Sequence, residues 1–232
     1  KKYYTKFRPF YDKLLQETIP SPIKFTYASK IVSNTHKDTL KIESISRFYD
    51  TNKVGNHVSE GGRINGKKII DTIENFNNYP EQRNNLIYDT THLSAHIKYG
   101  TISIREVFYA IKDKLGLNSE LLRQVIWHDF FNNMVYNNSD TFKEGMYPIS
   151  KKINWINNNT YTNKWKRAQT GYPIIDACMT ELNTTGYLHN RGRMIVANFL
   201  TRILGTHWKQ GEKYFAQVLY DYDPIQNNMG WT

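Results

Sequence analysis

The stretch from His189 to Trp231 carries the densest set of side chains able to do chemistry. His189, Asn190, Arg191 and Arg193 stand directly ahead of an apolar face formed by Met194, Ile195 and Phe199, and Asp221, Asp223, Asn227 and Asn228 follow downstream. Helices do not bury such groups without partners, because an unpaired buried charge costs several kcal/mol. Arg193 and Asp221 could form a buried pair lining a polar pocket or a bridge at the surface. Periodicity leaves both open. Trp155, Trp165, Trp208 and Trp231 are spread through the last third of the chain. Four core residues are the plain reading, since each indole buries a large area, and a redox role needs an electron acceptor nearby.

A second candidate lies upstream, at Thr90-Thr91-His92-Leu93-Ser94. Hydroxyls and unpaired N–H groups at the positive end of a helix can hold a phosphate, although an ordinary N-cap accounts for the same residues. His92 and His96 share a helical face, but Leu93, Ser94 and Ala95 supply no Glu for a zinc-hydrolase motif. No metal is expected. Gly61, Gly66 and Lys67 fit the spacing of a nucleotide-phosphate loop, yet Lys68 stands where Ser or Thr would hold magnesium. The polar His57-Val58-Ser59-Glu60 is no buried strand either, and the motif reads as a decoy.

The elements that must hold these groups read as helices. Ser103 and Glu106 are spaced as a capping box, after which Ile104, Val107, Phe108, Ile111 and Leu115 share a face until Gly116. Ser119 can cap the next helix, and Pro173 suits a first helical position before the stripe Ile174, Ala177, Cys178 and Leu182. Asn183 to Gly186 should end that helix. Two more are expected over 194–204 and 213–220, with Asp221 and Asp223 bracketing a helix end. Alternating strand patterns are scarce. The expected fold is all-α, an irregular multi-helix body over 61–232, with residues 1–60 as an irregular lead-in, interrupted by Pro9, Pro20 and Pro22, that packs on this body through Tyr3, Tyr4, Phe7 and Phe10.

Composition narrows the class. Hydrophobic residues make up 39% and aromatic residues 14% of the 232, enough for a sizeable core, so global disorder is excluded. One Cys rules out an intrachain disulfide framework and any Cys-rich zinc site. No stretch approaches the ~20 apolar residues of a membrane-spanning helix. Lys and Arg total 31 against 21 acids, a formal charge of +10 that flags nucleic acid or reflects a residue bias of the coding genome. The opening Lys1-Lys2-Tyr3-Tyr4-Thr5 has no Met and no apolar leader, so an intracellular protein missing its true start is expected.

The ordered blocks of the last third resemble the flavin-binding helical domain of the DNA photolyase/cryptochrome family. These are 170–177 (Thr-Gly-Tyr-Pro-Ile-Ile-Asp-Ala), Thr185-Gly186-Tyr187-Leu188-His189-Asn190-Arg191, Arg193-Met194, Trp208, Gly211-Glu212, Tyr214-Phe215, Asp221, Asp223 and Asn227-Asn228-Met229-Gly230-Trp231. Weaker similarity reaches back through Trp127 and 90–94 to 4–11. The resemblance implies FAD held in a folded conformation. Tyr79, Thr90, Thr91, Leu93 and Ser94 correspond to the phosphate-binding elements, and Asn190 to the residue facing the flavin N5. Arg193 paired with Asp221, together with Asp223 and Asn227, corresponds to the edge of the isoalloxazine. Trp231, Trp208 and Trp155 match the family's electron relay, in which Trp165 has no place.

In the family's repair enzymes, a lesion flipped from DNA enters a cavity above the flavin. The resemblance assigns Trp127 as its stacking face, Met194 and Asn190 as the floor, and Gln124 and Arg191 as further contacts. Gln124 replaces the Glu usual in cyclobutane-dimer enzymes, a feature of the (6-4) and animal-cryptochrome branch. Asn190 after His189, and the Asn227-Asn228-x-Gly-Trp ending, fit the cyclobutane class. The family's α/β antenna domain would precede residue 1, and further helices would follow Trp231. The expected protein is a monomeric DNA-binding photolyase, or its flavin-bearing portion; the alternatives are a cryptochrome-like photosensor with a protein partner and an inactive basic remnant.

Overall fold

In the computed structural model, which describes residues 3–23, Ser44, 59–145 and 152–232, all regular structure is helical and no strand occurs among those residues. In order these are α1 (Phe7–Leu14), α2 (Arg63–Asp71), a 3-10 turn (Ile73–Phe76), α3 (Tyr79–Gln82), α4 (Leu93–Lys98), α5 (Ile104–Leu115) and α6 (Glu120–Asn137). There follow α7 (Asp140–Glu144), α8 (Asn159–Lys166), α9 (Pro173–Thr185), α10 (Asn190–Asn198), a π turn (Phe199–Ile203), α11 (Trp208–Val218) and α12 (Pro224–Trp231).

Local chemistry sets most of these boundaries. At α5 the Ser103 hydroxyl accepts from the Arg105 N–H while the Glu106 carboxylate accepts from the Ser103 N–H, which is the expected capping box. Ser119 caps α6 by accepting from the Leu121 N–H. Pro173 opens α9, and Gly186 closes it at a φ of 69°, a left-handed position that suits a residue without Cβ.

Five expectations change. The stripe expected on α9 is displaced: Ile174 and Ala177 are exposed, and Ile175, Cys178, Met179 and Leu182 are the buried residues. Residues 7–14 of the lead-in form α1, because Pro9 falls in the first turn, where a missing N–H is harmless; residues 24–43 and 45–58 lie outside the described residues. Helix α11 starts at Trp208 rather than Lys213, since the His207 Nδ1 accepts the Lys209 N–H as a cap. Asp223 opens a helix instead of ending one: its carboxylate accepts from the Ile225 and Gln226 N–H groups, both at 2.9 Å, with Pro224 in the first position. The run expected as one helix over 194–204 begins at Asn190 and loosens at its end, where the Leu204 N–H reaches back to the Phe199 carbonyl. As for the decoy, Gly66 sits inside α2 against Ile102 and His96, a packed helix and no phosphate loop.

Two hydrophobic cores result. The first joins Phe7, Ile70, Val107, Ile111, Leu122, Ile126 and Phe130 from α1, α2, α5 and α6. The second gathers Trp165, Met179, Leu182, Leu188, Val196, Leu200 and Phe215 from α8 to α11. Each fully buried aliphatic side chain contributes about 1.5–3 kcal/mol. Helix α12 belongs to both, since Met229 enters the first core and Trp231 packs on the second. No helix among the described residues is long and apolar enough to cross a membrane.

Candidate functional site

Where the two cores meet, a cavity of about 410 Å³ remains, walled by α3 to α6, the loop before α4, α10, α11, 219–223 and α12. That volume lies within the range of about 300–1,000 Å³ usual for small-molecule sites. Val107, Ile111, Val125, Phe131 and Phe215 supply apolar wall; polar groups converge from three directions.

The first group settles the open question about Arg193. Its Nη2 donates to the Asp221 Oδ2 at 2.8 Å, its Nε donates to the Leu188 carbonyl at 2.7 Å, and its guanidinium lies over the Tyr187 ring. Asp221 is almost wholly buried, so the pair lines the pocket and is no surface bridge. Asn190, at the first position of α10, and Asn227, whose amide donates to the Glu212 carbonyl and carboxylate, stand on the same wall. Asp223 caps α12 and meets the Lys98 ammonium at 3.4 Å.

The second group is the loop before α4. Thr90 shares a hydrogen bond with the Tyr187 hydroxyl at 3.1 Å, and Thr91 accepts from the Leu93 N–H. His92 adopts a left-handed conformation and pairs with Asp89. Thr90, Thr91, Leu93, Ser94 and Tyr79 all line the cavity. Burial pushes the Tyr79 and Tyr187 phenols up, so both stay neutral donors.

The third group marks the cavity's outer side. Gln124 and half-exposed Met194 line both the main cavity and an adjoining chamber of about 100 Å³, which Arg191 also borders while bonding to Asn84. The Gln124 amide already donates to Glu120 at 2.9 Å, and Glu120 pairs with Arg83. On the chamber wall, the His189 Nδ1 caps α10 by accepting from the Arg191 N–H. Burial, reinforced by Arg191 and Arg193, pulls the His189 pKa down and keeps the ring neutral.

One expected placement differs. Trp127 lines neither cavity: it stacks on Phe7, 3.7 Å between centroids and nearly parallel, and contacts Phe130 and Phe131. The physical reason is α1: the aromatic lead-in expected to pack on the helical body does so as a helix, which sets the Phe7 ring on Trp127. Of the expected relay, Trp231 alone reaches the cavity wall, backed by Phe215 and Trp165. Trp208 and Trp155 lie behind, each against the His207 ring. Sequence reasoning missed Tyr187, His128, Lys98 and Phe131 as lining residues. Tyr187 lay inside a quoted block; the others carry no signal that separates a cavity wall from an ordinary inward or surface position.

Together, a helical body and a cavity lined by a charged pair and a hydroxyl-rich loop define a cofactor-binding domain. Residues 121–232 match the family model described as the FAD binding domain of DNA photolyase. A deoxyribodipyrimidine photo-lyase of Alkalihalophilus pseudofirmus is 30% identical, covering 98% of this chain and 49% of its own length. A cryptochrome DASH of Solanum lycopersicum is 36% identical over 66% of this chain and 28% of its own. Among solved structures, an archaeal photolyase from Sulfolobus tokodaii with two FAD molecules superposes with a TM-score of 0.82 at 32% identity, over 99% of this chain and 50% of that one. The chain belongs to the DNA photolyase/cryptochrome family, with FAD as its cofactor, and spans half or less of the length of these relatives.

The cavity fits that cofactor. The Asp221 Oδ1 and His92 Nδ1, buried in cavity-lining residues, have no hydrogen-bond partner among the described residues. Asp221 can therefore accept from a ring N–H of the isoalloxazine while Arg193 donates beside it. The hydroxyls of the 90–94 loop suit the phosphates.

Proposed function

We propose that the chain is the flavin-bearing portion of a DNA photolyase that repairs cyclobutane pyrimidine dimers in light, with 61–232 as its body and 1–60 as its lead-in. The buried Arg193–Asp221 pair on the cavity wall is the observation that carries this reading. The chemistry FAD supplies here is light-driven transfer of one electron to the dimer, and its return once the cyclobutane ring has opened. The chain's own residues hold and tune. Arg193, Asp221 and Asn190 fix the ring's protonation state and orientation, Asp223 and Asn227 its edge, and Tyr79, Thr90, Thr91, Leu93 and Ser94 the phosphates.

DNA delivers the lesion by flipping it out of the stack, and the +10 charge favours its phosphates. Met194 and Asn190 form the floor, with Arg191 at the side. Gln124 retains a second amide hydrogen for a thymine carbonyl. Damaged oligonucleotide is therefore expected to shift at lower protein concentration than undamaged, and illumination to restore the cyclobutane-dimer strand. Gln124→Leu should narrow that preference; Gln124→Glu is a poorer probe, because it sets a carboxylate against Glu120. Repair of only the (6-4) product would overturn the class assignment.

Trp231, Trp208 and Trp155 serve as the relay that reduces the flavin from its oxidised form. Trp231→Phe is expected to suppress light-driven reduction while flavin content stays level, because phenylalanine is much harder to oxidise. Undiminished bleaching of the flavin band would leave these tryptophans as packing residues. A second reading, a cryptochrome-like photosensor, is favoured by the likeness to cryptochrome DASH and by Trp127 lying under Phe7 instead of facing the cavity. Flavin binding and photoreduction without preference for either lesion would select it.

A further inference from the structure

Among the described residues, His207 is the histidine whose ring meets tryptophan rings. It lies 5.0 Å from Trp155 and 5.8 Å from Trp208, the second contact stacked, and no ring contact joins these two indoles directly. The placement is held from several sides. The His207 Nδ1 accepts the Lys209 N–H at 3.1 Å, while the His207 N–H and the Gln210 amide both donate to the Asn157 Oδ1. The Ile156 N–H donates to the Gly205 carbonyl at 2.8 Å, tying the segment that carries Trp155 to the turn before α11.

An Nδ1 that accepts a hydrogen bond carries no proton, so the ring is the neutral tautomer protonated at Nε2. Burial holds its pKa below the usual value, and the Lys209 ammonium pushes the same way. Lys209 is the charged group facing the ring from α11; the 152–158 segment presents Trp155 and Asn157, neither of which titrates. An imidazolium would also lose the cap and meet the positive end of α11. The ring is thus uncharged at neutral pH and gains its charge only in acid.

We propose that His207 is a charge gate on the tryptophan relay, acting where the positive charge leaves Trp231 for the Trp208–Trp155 pair. The proposal rests on the relay reading above. In that step Trp208 loses one electron and becomes an indole radical cation, and oxidised Trp231 gains it and returns to neutral indole; Trp155 then reduces Trp208 in the same way. The oxidant that started the sequence is light-excited oxidised flavin. With His207 neutral the step proceeds. With His207 protonated, a positive charge 5.8 Å from the new Trp208 radical cation disfavours it by roughly tenfold relative to a charge left on Trp231, which makes no ring contact with His207. His207 transfers no electron itself; it is a positioning residue acting through its charge.

The gate has a signature that needs no flavin. Excited indole passes an electron to an adjacent imidazolium and recovers it without light emission, whereas neutral imidazole leaves emission intact. The test is tryptophan fluorescence of the chain, followed from about pH 8 to pH 5 across the ordinary histidine range, alongside the initial rate of light-driven flavin reduction over the same range. In wild type, emission and photoreduction are expected to fall together on acidification. His207→Asn keeps an oxygen to cap the Lys209 N–H but carries no titrating ring, and should flatten both profiles. Trp155→Phe should shrink the emission change. Superimposable profiles for wild type and His207→Asn, with unchanged helical circular dichroism, overturn the gate; so does an emission change without any pH dependence of photoreduction. Wild type that is never photoreduced, at any pH, removes the relay reading and the gate with it, a failure the emission titration distinguishes from the first.

Discussion

Alanine at Asp221 or at Arg193 is expected to strip flavin from the protein and to lower folding stability by about 3–5 kcal/mol, the usual cost of breaking a buried ion pair from one side. Asp221→Ala leaves the guanidinium with the Leu188 carbonyl and the Tyr187 ring face but no counter-charge. Arg193→Ala is the harsher change for the acid, because Asp221 Oδ1 already lacks a partner and Oδ2 would then join it in a buried site. Asp221→Asn, which keeps the volume and one acceptor, should fall between wild type and alanine. The measurements are the flavin-to-protein absorbance ratio of the purified chains and the urea midpoint of their flavin-free forms. Flavin removal matters for the second, since bound ligand raises apparent stability by mass action. Equal occupancy in wild type and both alanine variants would detach the pair from the cofactor.

Trp165→Ala is expected to cost about 3–5 kcal/mol as well, by a different route. The side chain is fully buried, and its indole N–H donates to the Val196 carbonyl at 3.1 Å. Its ring packs on Tyr214, Phe215 and Trp231, so the variant leaves a cavity directly behind the wall that Trp231 forms. Flavin affinity should drop along with stability. Trp165→Phe refills much of the space but not the hydrogen bond, and should recover most of the loss. A urea midpoint within error of wild type for Trp165→Ala would contradict the packing described here.

The sequence carried the local decisions. The Ser103–Glu106 box, the Ser119 cap, Pro173 and Gly186 are visible as letters, because each acts within one helical turn of itself. Helix starts made by unusual chemistry were not legible. His207 and His189 cap through a ring nitrogen, which nothing in the letter distinguishes from a core or surface histidine. The lead-in helix was hidden by Pro9, whose effect depends on its place within the turn. The candidate site was named largely through ordered blocks of resemblance, and Tyr79, the 90–94 loop, Asn190, Arg193, Asp221, Asp223, Asn227 and Trp231 do meet around one cavity.

That meeting is what the tertiary structure decided. Periodicity shows that Val107, Ile111 and Phe215 face inward, but whether inward faces interlock or stand apart depends on how helices far apart in the chain cross. The gap between the cores is set by those crossings, and so is the fate of Trp127, whose ring finds Phe7 from a segment more than a hundred residues away. Arg193 and Asp221 were equally compatible with a surface bridge until α10 and the turn before α12 closed over them. Side-chain type is a property of the letter; burial and partner belong to the assembled chain, because desolvation and pairing act through space rather than along the sequence.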